Sequence, residues 1–234
     1  MVEIDKVWKI EIPENQNIAA MLSLPLKYYK DRINKLGFVG KDTMLLDAGC
    51  GAGYWSIAAS YFNKKIYGID LTKKYLDYAK KLKKVFNRNN LNLKLGKVEK
   101  LPYEDKTFDY IICYSVWMFT DKEKALKEYW RVLKPGGLLY LGSIIGHGWY
   151  PRLIFKGFKE KKIGLIFGAI KSILNGIPLS AKKTKELLQE NGFQILELSA
   201  DGKVGNFKIK VRPIYKGKIL GIWTVFEILA KKKG

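Results

Sequence analysis

The sequence predicts an α/β fold, in which a mostly parallel sheet carries helices on both faces. Strand-like and helix-like segments alternate from residue 43 to residue 144, and this alternation is typical of parallel strands joined by crossover helices. A glycine-rich turn, Gly49 to Gly53, also connects an apolar run to a helical segment. Because ligands of such sheets bind at the carboxyl ends of the strands, the fold class predicts where a site would lie.

The spacing of apolar residues assigns each segment to a strand or a helix. Leu76, Ala79 and Leu82 recur at helical spacing, and Thr72 is a candidate N-cap for their helix. A Pro-Gly-Gly turn at residues 135–137 ends a later helix and begins the fifth strand. The predicted strands are 43–48, 65–70, 91–95, 108–114 and 138–144, and the predicted helices are 15–36, 54–62, 72–88, 122–133 and 181–191.

The remaining segments are less regular. Residues 145–180 are long for a connection between a strand and a helix, and they predict a lid or cap over the site. Strands are expected at 193–198 and, as the last hairpin partner, at the basic segment 207–215. Residues 217–234 are apolar almost all round and predict a C-terminal helix.

The chain is strongly basic. Its 234 residues include 43 Lys and Arg against 22 Asp and Glu, which gives a formal net charge of +21. This charge favours a polyanionic partner, such as nucleic acid or an anionic membrane face, or an acidic substrate. A lysine-rich thermophilic surface is the alternative, although such surfaces usually gain Glu alongside Lys. Residues 1–12 lack a signal-peptide core and no apolar run could span a bilayer, so a cytoplasmic protein is expected.

The glycine turn lies between two acids. Glycine lets the backbone turn tightly and approach a ligand, and the following helix offers free N–H groups. The spacing Gly-x-Gly-x-Gly differs from the dinucleotide pattern, and Asp47 at its mouth would repel a pyrophosphate. An acid there suits a cationic or amino-bearing ligand. Asp70 ends the second strand, where an acid accepts hydrogen bonds from ribose hydroxyls.

These motifs resemble those of class I S-adenosylmethionine-dependent methyltransferases, of the small-molecule type that includes quinone and sterol methyltransferases. Residues 45–53 resemble the first motif and Asp70 resembles the ribose-binding acid. Residues 101–112 resemble the segment leading into strand four, and residues 126–142 resemble the helix, turn and strand that follow. The resemblance implies a Rossmann-like, seven-stranded, mostly parallel sheet with a cap inserted after strand five, and S-adenosyl-L-methionine as cofactor.

The resemblance also implies a set of site residues. The methyl acceptor of similar enzymes docks after strand four, near Tyr114, and His147 is a candidate general base beyond strand five; a surface loop histidine is the alternative. Where the family commonly has Gly-Asp, this chain has Gly96-Lys97. The adenine contact is therefore expected at the backbone of Val98 or at Glu99. The implied cofactor-binding residues are Asp47, Gly49, Cys50, Gly51, Gly53, Asp70, Leu71, Val98, Glu99 and Tyr114, and the implied catalytic residues are His147 and Tyr114.

We expect one domain over residues 1–234, with a cofactor-binding core at 43–143, a substrate cap at 145–180 and the C-terminal helix at 217–234. In similar enzymes the leading helix, here with Tyr28 and Tyr29, covers the cofactor. The two cysteines, Cys50 and Cys113, lack metal-binding spacing, so reduced thiols and no metal site are expected.

The implied function is direct in-line methyl transfer to a small, hydrophobic or lipid-linked acceptor. An RNA methyltransferase that uses the basic surface and a non-catalytic cofactor-binding scaffold are the alternatives. The sequence Cys113-Tyr114-Ser115-Val116 replaces the Asn/Asp-Pro-Pro-aromatic motif after strand four, which argues against methylation of DNA adenine. The apolar cap and the C-terminal helix make an anionic membrane surface a candidate partner, with peripheral attachment to the inner membrane face as a second possible location.

Overall fold

The computed structural model describes residues 24–234, which alternate between helices and strands. The helices are α1 (Leu26–Leu36), α2 (Tyr54–Ala59), α3 (Lys73–Val85), α4 (Lys122–Val132), α5 (Trp149–Lys159), α6 (Ile163–Leu174) and α7 (Ala181–Glu190). The strands are β1 (Gly40–Ala48), β2 (Asn63–Asp70), β3 (Leu91–Leu95), β4 (Phe108–Tyr114), β5 (Leu133–Ile145), β6 (Phe193–Ala200), β7 (Lys218–Ile219), β8 (Ile222–Trp223) and β9 (Val225–Lys232).

Seven of these strands form one sheet in the order β3-β2-β1-β4-β5-β9-β6, and β7 and β8 form a separate ribbon. The pairs from β3 to β5 are parallel, whereas β9 runs antiparallel to both β5 and β6. This arrangement confirms the predicted seven-stranded, mostly parallel fold. The chain builds the sheet outward from β1 to β3 and then crosses to β4, so a crevice opens beyond the carboxyl ends of β1 and β4.

Helices cover both faces of the sheet, and each face has its own apolar core. Successive residues of a strand point to opposite faces, so Leu45 of β1 joins one core and Leu46 joins the other. The first core includes Ile33 of α1 and residues of α2 and α3. The second includes Leu126 of α4 and Leu188 of α7. The sheet is therefore buried on both sides, as a parallel sheet requires.

The prediction of a helix at residues 217–234 is wrong, because this segment contains β7, β8 and the long strand β9. Seven of the eight residues of β9 are buried, because the strand lies between β5 and β6 in the sheet and side chains pack on both of its faces. A segment that is apolar on all sides has no hydrophobic periodicity, so its sequence pattern does not distinguish a buried strand from a buried helix. The β-branched and aromatic residues Val225, Phe226 and Ile228 favour the strand.

The prediction of a basic strand at residues 207–215 is also wrong. These residues form an irregular segment outside the sheet, and two of their backbone N–H groups bond with a side chain. The Oδ2 atom of the buried Asp201 accepts hydrogen bonds from the backbone N–H groups of Ile214 at 2.6 Å and Tyr215 at 3.1 Å. At the other end of the chain, α1 begins at Leu26, and the part of the predicted helix 15–36 before residue 24 lies outside the described residues.

The predicted cap, residues 145–180, contains the helices α5 and α6, which pack against each other as a hairpin. Gly157 permits their close approach, since a Cβ atom there would lie 2.6 Å from Cγ1 of Ile166. The helix α6 has 12 residues. Across residues 24–234, the helices fall short of the length and apolarity needed to cross a bilayer.

A buried ion pair joins α1 to the sheet. The guanidinium of Arg32 on α1 is 1% exposed, and its Nη2 atom lies 2.5 Å from Oε1 of Glu227 on β9, which is fully buried. The same carboxylate oxygen accepts hydrogen bonds from the hydroxyl of Tyr140 on β5 at 2.8 Å and from the backbone N–H of Gly202 at 3.0 Å. The pair and its hydrogen bonds therefore hold α1, β5, β9 and the chain after β6 together.

The variant Glu227→Gln tests how much this ion pair contributes to the stability of the fold. It leaves the buried guanidinium of Arg32 without its ion-pair partner, so the free energy of unfolding should fall by about 3 kcal/mol. The matched control is Asp77→Asn, which breaks the exposed 2.8 Å pair between Lys73 and Asp77 and should have a much smaller effect. Chemical denaturation of both variants provides the measurement, and equal losses of stability would contradict the assignment.

Candidate functional site

A cavity of about 190 Å³ opens at the carboxyl ends of β1, β2 and β4. The loop after β1 and Tyr29 of α1 both line it. The sheet topology predicts a ligand site at this crevice. Its lining residues are Tyr29, Asp47, Gly49, Cys50, Gly51, Ala52, Tyr54, Trp55, Asp70, Tyr75, Tyr114, Ser115 and Val116.

The glycine loop needs glycine for two different reasons. Gly49 has a φ of 78°, and a Cβ atom there would lie 2.4 Å from Cγ2 of Val116, so the loop and the segment after β4 are in direct contact. Gly51 has a φ of 51°, and a Cβ atom there would meet nothing within 4 Å. Because Gly51 lines the cavity, this open space lies where a ligand would touch the backbone.

Asp70 holds the loop in place from the end of β2. Its Oδ2 atom accepts a hydrogen bond from the backbone N–H of Gly51 at 2.8 Å, and its Oδ1 atom accepts one from the backbone N–H of Thr72 at 2.8 Å. A carboxylate oxygen can accept more than one hydrogen bond. Asp70 can therefore fix the loop and the start of α3 and still receive hydroxyl donors from a ligand.

Asp47 is the second acid of the cavity and is 2% exposed. Burial raises the pKa of its carboxyl from 3.8 to about 7; the hydrogen bond from Ser56 opposes this rise, and the nearby charge of Asp70 adds to it. The Oγ atom of Ser56 donates that bond to Oδ2 at 2.6 Å. A carboxyl group with this pKa can pair with a cationic amino group that enters the cavity.

Two aromatic residues present polar atoms beside the cavity. The indole Nε1 of Trp55 and the hydroxyl of Tyr114 are buried and have no hydrogen-bond partner within residues 24–234. Their rings lie next to each other, with centroids 4.9 Å apart. Buried polar atoms normally have partners, so these two atoms are exceptions among the residues that line the cavity.

A second cavity of about 450 Å³ adjoins the first, and Ser115 lines both. The ends of β4 and β5 form one wall of the second cavity, and α5 and α6 form the other. Most of its lining is apolar, with a few hydroxyl groups among the aliphatic and aromatic side chains. The lining residues are Ser115, Met118, Phe119, Ser143, Ile145, Trp149, Tyr150, Leu153, Gly164, Leu165, Gly168, Ala169, Ser172, Tyr215 and Val225.

Ser115 and Ser143 have an unusual backbone conformation at this second cavity. Their φ values are 59° and 51°, in the left-handed region that non-glycine residues rarely adopt. Such strained positions persist only where the surrounding structure holds them, and they occur often at ligand sites. Ser115 directly follows β4 and Ser143 lies within β5 near its end, and both residues line the same cavity.

The structure brings together six of the predicted cofactor residues. Those that line the first cavity are Asp47, Gly49, Cys50, Gly51, Asp70 and Tyr114. Sequence reasoning did not single out Trp55, Tyr75, Val116 or Ser143 as site residues, and no local signal distinguishes them from core residues.

The other four predicted cofactor residues lie elsewhere. Gly53 approaches Ala79 of α3, Leu71 is 64% exposed, and Val98 is buried in the second apolar core. The Oε1 atom of Glu99 accepts a hydrogen bond from the backbone N–H of Asp121 at 3.1 Å, which turns it towards the start of α4. Contact of these residues with a cofactor stays a prediction.

The structure does not bring His147 to either cavity. Its backbone neighbour Gly146 donates to the carbonyl of Thr224 at 2.8 Å and forms a bridge with Leu179. This turn leaves the imidazole exposed, where it lines two separate hollows of about 390 and 350 Å³ together with Leu179 and Ser180. The role of His147 as a general base stays a prediction, and of the two candidate catalytic residues Tyr114 is the one that lines the first cavity.

The cysteines are free and buried. Burial raises the pKa of the Cys113 thiol to about 12 and places the pKa of the Cys50 thiol well above its ordinary value. Both groups are thus neutral thiols and poor nucleophiles at neutral pH. Within the described part of the chain, no cluster of three His, Cys, Asp or Glu side chains is arranged to hold a metal ion.

Comparison with known proteins connects this geometry to a family. The model of the family described as "Methyltransferase domain" matches residues 40–192. Demethylmenaquinone methyltransferase from Oceanobacillus iheyensis is 37% identical over 112 residues, which cover 46% of this chain and 47% of that protein. The protein of the same name from Staphylococcus aureus is 38% identical over 117 residues, 48% of each chain. The matched region thus spans about half the length of these curated relatives.

Solved structures share the fold at lower identity. The YcgJ protein from Bacillus subtilis is 18% identical, with a TM-score of 0.61 over 89% of this chain and 99% of that chain. A SAM-dependent methyltransferase from Methanosarcina mazei is 21% identical, with a TM-score of 0.59 over 84% of this chain and 95% of that chain. At these identities the likeness supports the fold alone.

The variant Asp47→Asn should remove one pH-dependent part of the stability. Because the pKa of Asp47 is about 7 when folded and 3.8 ordinarily, the folded state keeps a proton that the unfolded state releases between these pH values. This group stabilises the fold below about pH 4, and up to about 4 kcal/mol of that stability is lost as the pH rises through about 7. Denaturation at several pH values measures the free energy of unfolding of wild type and variant. The difference between the two should change between about pH 4 and pH 7. A difference that stays constant over this range would contradict the raised pKa of Asp47.

Proposed function

This chain belongs to the methyltransferase domain family, within the class I S-adenosylmethionine-dependent enzymes, and we propose that it methylates a small, apolar, lipid-like acceptor. The observation that carries the proposal is the pair of adjoining cavities. One lies over the glycine loop between Asp47 and Asp70, and the other is mostly apolar. Ser115 lines both, so a donor in the first cavity would face an acceptor in the second.

The residues of the first cavity fit S-adenosylmethionine, which supplies an activated methyl group on a sulfonium. Asp70 has acceptor capacity for ribose hydroxyls, and Asp47 offers a carboxylate to the amino group of the methionine part. The open space at Gly51 lets a ligand approach the backbone.

The chain contributes to the transfer mainly by position. A sulfonium methyl group is already reactive, so holding donor and acceptor in line accounts for much of the acceleration. Tyr114 and Ser115 lie at the end of β4, where the cavities meet, and are suited to orient the acceptor atom. Tyr114 is buried, and burial keeps the pKa of its hydroxyl well above the ordinary value, so it acts as a neutral hydrogen-bond donor and not as a base.

The second cavity supports an apolar acceptor with one or two polar groups. Leu153, Leu165 and Val225 supply aliphatic surface, whereas Ser143 and Tyr215 supply hydroxyl groups. Such a lining binds a flat or branched apolar molecule and orients it by a few hydrogen bonds. The name demethylmenaquinone methyltransferase, which the curated relatives carry, supports a quinone-like acceptor.

The variant Gly51→Ala should weaken S-adenosylmethionine binding at least about tenfold, because the new methyl group would occupy the open space in the cavity. Gly37→Ala is the matched control, since Gly37 also has a positive φ of 73° with nothing within 4 Å, but caps α1 outside both cavities. The affinity of the Gly37→Ala variant for S-adenosylmethionine should stay within about twofold of wild type. Calorimetry measures both. Absence of binding by folded wild type would refute the cofactor assignment, and binding without any methyl transfer would favour the scaffold alternative.

The variant Gly168→Leu should block the acceptor cavity. Gly168 lines it, and a Cβ atom there would meet nothing within 4 Å. Methyl transfer should fall at least about tenfold while the affinity for S-adenosylmethionine is unchanged, and Gly168→Ala should have a smaller effect. The measurement is incorporation of labelled methyl groups into lipid extract and into RNA. Label in RNA that Gly168→Leu leaves unaffected would instead support the RNA methyltransferase alternative.

A further inference from the structure

The helices α5 and α6 expose a row of large apolar side chains. On α6, Ile163, Phe167, Ile170 and Leu174 follow a spacing of four, three and four residues, so they lie on one side of the helix. Their exposed fractions are 65%, 68%, 40% and 80%. Phe155 and Phe158 of α5 are 75% and 68% exposed. We call these six residues the outer face of the hairpin.

The opposite side of α6 is already in use. Leu165, Ala169 and Ser172 line the acceptor cavity and form the inner face of the helix. A surface helix of a globular protein normally has one apolar stripe, which faces the core. This helix has two, and the residues from 24 to 234 bury only the inner one. A second apolar stripe that is exposed marks an interaction surface.

The charges beside the outer face restrict its partner. Between residues 149 and 176 the chain has six basic residues and one acid, Glu160. Glu160 is engaged by Lys162 at 2.7 Å and by Lys156 at 3.8 Å. Exposed basic residues that remain without an ion pair in the described ranges are Arg152, Lys159, Lys161 and Lys171. The partner is therefore apolar at its centre and anionic at its surface.

We propose that the outer face of the α5–α6 hairpin docks this enzyme on an anionic lipid bilayer. Apolar side chains on one side of a basic helical element insert at the boundary of headgroups and acyl chains, and Lys and Arg pair with anionic lipids. The 12 residues of α6 reach about 18 Å, shorter than the roughly 30 Å hydrocarbon core, so the hairpin lies on the surface. A second copy fits less well, because it brings the same excess of positive charge.

This docking deepens the proposed function and rests on it for its purpose. The same two helices carry the outer face and line the acceptor cavity, with Leu153 on α5 and Leu165 on α6. An acceptor dissolved in the bilayer therefore reaches the cavity across a single layer of helices. The cofactor cavity lies on the other side of Ser115, and it is lined by none of the outer-face residues, so it stays open to water-soluble cofactor.

Vesicle sedimentation with the full chain tests the proposal. Wild type should bind vesicles of phosphatidylglycerol and phosphatidylcholine and bind pure phosphatidylcholine much more weakly. The variant F155S/F158S/F167S should lower the partition coefficient at least about tenfold, and K159E/K161E should lower it at least about fivefold. Because all five positions are exposed, circular dichroism and calorimetry with S-adenosylmethionine should match wild type for both variants.

The matched control is K81E/K84E, which makes the same charge change on α3, beside the β3 edge of the sheet. It should change the partition coefficient less than about twofold. An equal loss in this control would overturn the proposal in favour of general charge attraction. Conversion of a dimer to a monomer by F155S/F158S/F167S would overturn it in favour of a second copy. Absence of vesicle binding with intact S-adenosylmethionine binding would overturn the docking and leave the proposed function standing.

Discussion

The buried pair between Arg32 and Glu227 ties the two halves of the site together. Arg32 lies on α1, one turn after Tyr29, which lines the cofactor cavity. Glu227 lies on β9, two residues after Val225, which lines the acceptor cavity. Breaking a buried pair leaves an uncompensated charge, so helix and strand cannot separate without exposing it. The relative position of the two cavities thus depends on an interaction that touches neither of them.

The site divides its tasks between a fixed part and an adaptable part. The glycine loop is held by backbone bonds, since Gly49 and Cys50 both donate to the carbonyl of Ile69 at 2.8 and 2.9 Å, and by the carboxylate of Asp70, which accepts from the N–H of Gly51. The acceptor cavity is lined partly by side chains from α5 and α6, which lie outside the sheet. This division explains why motifs in the first hundred residues identify a cofactor and leave the acceptor open.

The sequence was sufficient for the parallel strands and for the acids at their ends, because Asp47 and Asp70 lie within short motifs whose spacing sets their position. The sequence was insufficient to predict β9, because a strand that is buried on both faces has no alternation of apolar and polar residues. The partnership of Arg32 and Glu227 spans 195 residues and leaves no local pattern. The exposed position of His147 likewise has no local pattern, since the turn that directs it outwards includes a hydrogen bond to Thr224.

The position of β9 also bears on how the chain reaches its fold during synthesis. The strand lies between β5 and β6, both of which leave the ribosome before it. Until residues 225–232 emerge, the edges of β5 and β6 have unpaired backbone groups, and the guanidinium of Arg32 has no carboxylate on β9. The nascent protein therefore passes through a stage with an open gap in its sheet, which is the stage at which chaperone binding or aggregation competes with folding.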